Sequence, residues 1–406
     1  MLEITLATAI ALFVAMEAAV AGLVFWFRSH CKWLITGRDL SPVIDEEGLK
    51  RFVEHGWDRE LGWVRKPDTD KKEVGSHGQS VHYHIDAMGA RRNPGFETLP
   101  PEMLIYGDSY AFCRQVENDQ TWPHHLSAAL GVNAANFGVG NYGLDQAVLR
   151  LEREFDDHRA KLVVMAVVPE TICRILSVWR HFSEYGNVLA VKPRFVLRNG
   201  DLCLLSNPMD DPNKFRRLAD FFETFRRNDF FYDRKFSRDL LRFPYSWRFF
   251  GNWSRNVRLV RAVLADRIAG SNDRTLAAVM ERNIALTAKI YAEKEPLDLL
   301  IALCRRFAEF VRNRGAVPML VFLPQLMDLK YIQAHGHYYA PVMETLREVL
   351  AVVDLAPDLL RNDDFASLYI NDQYGGHFSE QGNRAVAGLL KDHCGEILRD
   401  GALGFG

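Results

Sequence analysis

The stretch "KLVVMAVV", Lys161 to Val168, is apolar at every position after the first. A strand with one wet face would alternate apolar and polar residues. A run without alternation suits a strand covered on both faces, as in a parallel sheet. Three more short runs share this character: "MLIYG" (Met103 to Gly107), "VNAANFG" (Val132 to Gly138) and "VPMLVFLP" (Val317 to Pro324). Helical patterns lie between them. "WPHHLSAALG" ends in a glycine stop, and "LDQAVLRLEREF" places Leu144, Val148, Leu151 and Phe155 on one face. Strands alternating with helices in this way predict an α/β fold with helices covering a parallel sheet. Sites in such sheets form beyond the carboxyl ends of the strands.

The loops at those ends carry the chemistry. "YGDSYAF" follows the first run. Gly107 permits a tight strand-to-helix turn, and Ser109 then stands where free helix N–H groups stabilise negative charge. A serine there can attack an acyl group, with its own N–H helping to hold the oxyanion. Asp108 or Ser109 could equally be a plain helix cap. "NFGVGNYG", Asn136 to Gly143, exposes backbone amides after the second run, and "VPETICRI" brings Glu170 after the third. "YINDQYGGHFSEQGN", Tyr369 to Asn383, brings His377 near the end of the chain. A serine, a glycine loop and a histidine at matching strand ends form a constellation for serine-based acyl chemistry.

In this order the blocks resemble the SGNH/GDSL hydrolase superfamily, from Met103 to about Leu390 with a long insertion. The resemblance implies a three-layer α/β/α sandwich with a flavodoxin-like sheet. It makes Ser109 the nucleophile and His377 the base. It assigns oxyanion or substrate-binding roles to Gly138, Gly140, Asn141 and the Glu170 position. "LGWVRKP" and "NDQTWPHHL" add a likeness to membrane-anchored bacterial proteins of the cell envelope, some of which add or remove O-acetyl groups on polysaccharides. The sequence departs from the family twice. Glu170 stands at or near the place of a Gly-x-Asn-Asp asparagine, and Tyr374 stands where an acid usually precedes the histidine by three residues. Asp372, five residues ahead, is the candidate third member of a triad. Glu170 could instead cap the following helix and pair with Arg174, four residues on. Three functions follow as expectations: an esterase releasing acyl, notably O-acetyl, groups from a carbohydrate or cell-envelope polymer; an O-acyltransferase (notably an O-acetyltransferase) using the same serine in polysaccharide modification; and a non-catalytic glycan-binding or assembly protein with a degenerate site. None needs a metal or cofactor.

The remaining sequence sets the context. Ile4 to Phe27 is apolar except for Thr5, Thr8 and Glu17, and is long enough to cross a bilayer, which takes roughly 20 residues. It reads as an uncleaved anchor over 1–28, although Glu17 at the membrane centre is unfavourable by about 2–3 kcal/mol. Arg28, Lys32 and Arg38 after the span would keep the body of the protein cytoplasmic by charge counting, whereas the resemblance implies an extracytoplasmic, periplasmic body. A lead-in is expected over 29–100 and the hydrolase-like domain over 101–400. A mainly helical insertion is expected at about 176–315, with a hairpin at Asn199-Gly200 and an aromatic, Arg-rich stretch. That stretch could stack on sugars, face a membrane, or supply core aromatics. The net charge of −2 and the lack of a long charge run argue against a nucleic-acid partner. Six scattered cysteines show no zinc spacing, and read as buried thiols or as a disulfide or two in an exported chain.

Overall fold

The computed structural model describes residues 2–74, 80–370 and 376–400. The chain forms two compact units, one of residues 51–176, 192–207 and 284–406, the other of residues 1–50, 177–191 and 208–283.

The first unit is built on a five-stranded parallel sheet of β1 (Pro101–Gly107), β2 (Asn133–Asn136), β3 (Leu162–Val167), β4 (Val317–Phe322) and β5 (Ala351–Asp354). The strand order is β5-β4-β3-β1-β2, the flavodoxin-like order that the sequence led us to expect. Every residue of β3 is buried, in keeping with its unbroken apolar run at the centre of the sheet. β1 and β3 are paired from Met103 opposite Leu162 to Gly107 opposite Ala166, so both strands end at the same level. The chain reverses direction across the sheet at this pair, which places the topological crevice beyond Gly107 and Val167. β5 was not foreseen: it is a short edge strand of four half-exposed or exposed residues, with no apolar run to announce it.

The predicted helices Trp122–Leu130 and Leu144–Glu154 form, the first ended by Gly131 at φ +71°. Asn199 and Gly200, both at positive φ, turn the hairpin Arg194–Arg198/Asp201–Leu205. This hairpin and the helix Lys294–Arg312 belong to the sheet unit. Residues 29–50 of the expected lead-in belong to the other unit.

That second unit is helical. It opens with the helix Leu2–Arg28 and includes Trp253–Ala269. Part of its aromatic stretch is core: Phe215, Phe225, Phe231 and Phe236 are buried, and Phe182 packs on Phe236 with ring centroids 4.8 Å apart. Residues 6–28 are long and apolar enough to cross a membrane. All six cysteines are free thiols, five of them buried and Cys203 half-buried.

Candidate active site

β1 ends on Gly107 at φ +150°, where a Cβ would stand 1.8 Å from the carbonyl oxygen of Ala166 on β3. Only glycine lets the chain leave the sheet this closely. Asp108 follows as the cap of the one-turn helix Ser109–Phe112, accepting a hydrogen bond from the Tyr110 amide at 2.8 Å. Its second oxygen accepts from the Val168 amide at 2.9 Å, which ties the first loop to the end of β3. Cap and candidate nucleophile are thus neighbours rather than alternatives. Ser109 is the first residue of the turn and only 8% exposed.

His377 reaches this serine from the far end of the chain. Gly376 turns at φ +89°, and His377–Phe378 pairs antiparallel with Tyr369–Ile370 before the helix Glu380–Asp400 begins. The Nε2 of His377 lies 2.8 Å from Ser109 Oγ, and the ring is 4% exposed. Tyr110 stacks on the imidazole at 4.7 Å and 27°, and its hydroxyl donates to the Gly376 carbonyl at 2.5 Å. Trp122 Nε1 in turn donates to the Tyr110 carbonyl at 3.0 Å. The residue after the serine therefore fixes the plane of the histidine. Sequence reasoning missed this role, although the Tyr in "GDSY" and the Trp in "NDQTWPHHL" both stood in quoted motifs. The last two letters of "HFSEQGN" are structural. A Cβ on Gly382 would meet the Leu368 carbonyl at 2.0 Å, and Asn383 bonds Ser379, Phe378 and the Trp122 amide. Asp372, the candidate acid, lies outside the described residues, as does Tyr374.

The glycine loop packs over the same turn. A Cβ on Gly138 would lie 2.4 Å from the Phe112 amide nitrogen, so this glycine serves close approach. Its own N–H donates to Asn136 Oδ1 at 3.0 Å, which leaves it occupied rather than offered to an oxyanion. Asn136 also donates to the Ala111 carbonyl at 2.8 Å, clamping the loop to the serine turn. Gly140 and Asn141 are half-buried, Asn141 at φ +69°. "LGWVRKP" buttresses the loop: Trp63 Nε1 donates to the Gly140 carbonyl at 3.0 Å, and the Tyr142 hydroxyl donates to the Trp63 carbonyl. Gly138→Ala should therefore displace the serine turn. We expect a loss of about 1–3 kcal/mol in urea unfolding, whereas an alanine at the exposed, helical Gly388, with open space at its Cβ, should cost nothing.

The third loop holds a charge network. Glu170 occupies the N-cap position of the helix Thr171–Arg174 without a side-chain capping bond, and pairs with Arg174 at 2.8 Å. Arg174 is buried and also reaches Asp108 Oδ2 at 3.3 Å and the Tyr142 carbonyl at 3.1 Å. It thus links the first, second and third loops, a role its place four residues after Glu170 did not reveal. Burial holds the Asp108 carboxyl above its usual range despite the nearby guanidinium. Asp328, at the start of the helix Leu326–His335, interacts electrostatically with Glu170 and Arg174. It is fully buried, accepts from the Tyr338 hydroxyl and the Gln325 amide at 2.7 Å each, and is pushed up to about 7 by that burial.

A raised carboxyl has a definite consequence for stability. An unfolded Asp loses its proton near pH 3.9, whereas the folded Asp328 keeps it to about pH 7. Folding takes up a proton in that window, so stability falls as pH rises through it and levels off above. Asp328→Asn cannot ionise. The unfolding free energy of the wild type relative to this variant should therefore drop between pH 5 and pH 8, by roughly 1–3 kcal/mol. Urea titrations at the two pH values measure it, and a constant difference would mean an ionised Asp328 throughout.

No family model matches the sequence, and no curated protein matches it. Among solved structures, one match is "a putative lipolytic protein of G-D-S-L family" from Desulfitobacterium hafniense. The likeness covers 73% of this chain and 99% of that one, at 11% identity and a TM-score of 0.33. A similarity that distant carries no weight for function, which has to rest on the site itself.

Proposed function

We propose that the chain is a serine hydrolase of ester bonds, with Ser109 as nucleophile and His377 as general base. The observation that carries this reading is the 2.8 Å approach of His377 Nε2 to Ser109 Oγ, in a nearly enclosed position beyond β1 and β3. That distance is within reach for direct proton transfer. Ser109 Oγ attacks the acyl carbonyl carbon while His377 takes its proton. The resulting oxyanion collapses, the alcohol leaves with the proton from His377, and an acyl-serine remains. Water, deprotonated by His377, then attacks the acyl-serine and releases the acid.

The amides of Ser109 and Gly140 donate to no described residue, which suits them to an oxyanion better than Gly138. Glu170 can donate no hydrogen bond while ionised; paired with Arg174, it acts by orienting that guanidinium. Asp372 is the proposed acid of the triad. The enclosure of Ser109 and His377 supports a small acyl group such as acetyl, and the motif resemblance supports a carbohydrate or cell-envelope polymer as its carrier. The apolar helix of residues 6–28 is the proposed membrane anchor. The same resemblance supports an extracytoplasmic body, against the charge count of Arg28, Lys32 and Arg38. A C-terminal alkaline phosphatase fusion, active only outside the cytoplasm, decides the side.

The activity is tested on the purified full chain with an aryl acetate and a serine-reactive fluorophosphonate. Acetate release and a single phosphonate adduct on Ser109 are expected. Absence of both would overturn the assignment.

A further inference from the structure

Within the helical unit, four large aromatics remain exposed along one short segment: Phe243, Trp247, Phe250 and Trp253, at 67%, 77%, 51% and 53%. Exposed aromatics gathered so closely mark a surface that something apolar covers. The segment contains the short helix Tyr245–Gly251, which packs along the N-terminal helix. The ring of Phe243 meets that of Phe13 edge-on at 6.5 Å, and Phe13 belongs to the exposed apolar face of the N-terminal helix. Met16, Trp247, Phe250 and Gly251 line a small groove between the two, with Ser246 as its one polar residue. The exposed aromatics thus continue the surface that would face lipid.

Glu17 supplies an independent observation. Its carboxylate accepts from the Tyr245 amide at 2.5 Å and the Ser246 amide at 2.9 Å, and also from the Ser246 hydroxyl. Arg28 and Trp26 mark the end of the apolar span, with the Arg267 guanidinium 5.1 Å from the Trp26 ring. Such aromatic and basic residues sit at the headgroup level. Glu17 lies eleven residues before Arg28, so about 16 Å deeper along the helix axis. The hydrocarbon core is about 30 Å thick, which puts the 245–246 amides near its middle. At that depth unsatisfied helix-start amides are costly, and so is a lone carboxylate. Each satisfies the other.

We propose that Phe243–Trp253 is a re-entrant membrane element that lies in the bilayer beside the N-terminal helix, with lipid acyl chains covering Phe243, Trp247, Phe250 and Trp253. This rests on the membrane-anchor reading of residues 6–28 and is independent of the esterase reading. The test places the photoreactive p-benzoylphenylalanine, one site at a time, at Trp247, Phe243, Leu12 or Val43 of the full chain. The protein is reconstituted in phosphatidylcholine/phosphatidylglycerol vesicles, illuminated and read by mass spectrometry. All four positions are exposed, Val43 at 95%, so each accommodates the probe. Lipid adducts at 247 and 243 should match those at 12 and exceed those at 43 by about tenfold or more. Adducts at 12 with only the position-43 level at 243 and 247 would overturn the re-entrant element and leave the anchor. No adducts at 12, 243 or 247 would overturn both. Chain-to-chain adducts at 247 in place of lipid would overturn it in favour of a second copy covering the aromatics.

Discussion

Ser109→Ala is expected to lower kcat for an aryl acetate by about 10³-fold or more, with an unchanged unfolding midpoint. The stability should hold because, among the described residues, the Ser109 hydroxyl bonds only His377. His377→Gln, which keeps bulk against the Tyr110 ring, should cost a similar factor. The double variant is the sharper measurement. A nucleophile without its base and a base without its nucleophile are equally idle, so the double variant should be about as inactive as either single one. Losses that multiply instead would mean that the two side chains act independently, and His377 would not be the base of Ser109. Steady-state kinetics on the three purified variants decides this.

The second large effect is structural. Arg174→Met is expected to destabilise the sheet unit by roughly 3–5 kcal/mol, the usual consequence of removing one partner from a buried ion pair. The side chain of Asp108 is 1% exposed and that of Glu170 20%, so Asp108 bears most of the loss. The deficit should be larger at pH 8 than at pH 5. The Asp108 carboxyl already sits above its usual range through burial, and without the guanidinium it is raised further, so acid relieves the uncompensated charge. Arg174→Lys should recover only part of the loss, since a single ammonium cannot span Glu170, Asp108 and the Tyr142 carbonyl together. Urea unfolding at both pH values provides the measurement, and an equal deficit at the two would show that Asp108 is not the group left exposed.

Much of the sheet could be read from the chain. β1, β3 and β4 are short apolar runs with turn residues at their ends, and buried parallel strands announce themselves this way, whereas β2 is only Asn-Ala-Ala-Asn. β5 could not be read, because an edge strand of four half-covered residues carries no such pattern. The aromatic stretch after Pro212 looked uniform in sequence, yet Phe225 and Phe236 are core whereas Trp247 and Phe250 face outward. Glycine positions carry different constraints: Gly107 makes the turn that its place after an apolar run predicts, while Gly138 permits close packing and its amide bonds Asn136.

What the sequence determined by itself is local: strand periods, glycine turns, a serine at a helix start, and a histidine block before the last helix. Such features need only neighbours along the chain. The tertiary structure decided the partners. Tyr110 meets Gly376 across 266 positions, Trp63 meets Gly140 across 77, and Glu17 meets Tyr245 across 228. In the sequence Glu17 is a misplaced charge in an apolar span, and Tyr110 is a spare aromatic. Each gains a function only when folding brings a distant backbone within hydrogen-bond reach, and no periodicity or spacing encodes that meeting.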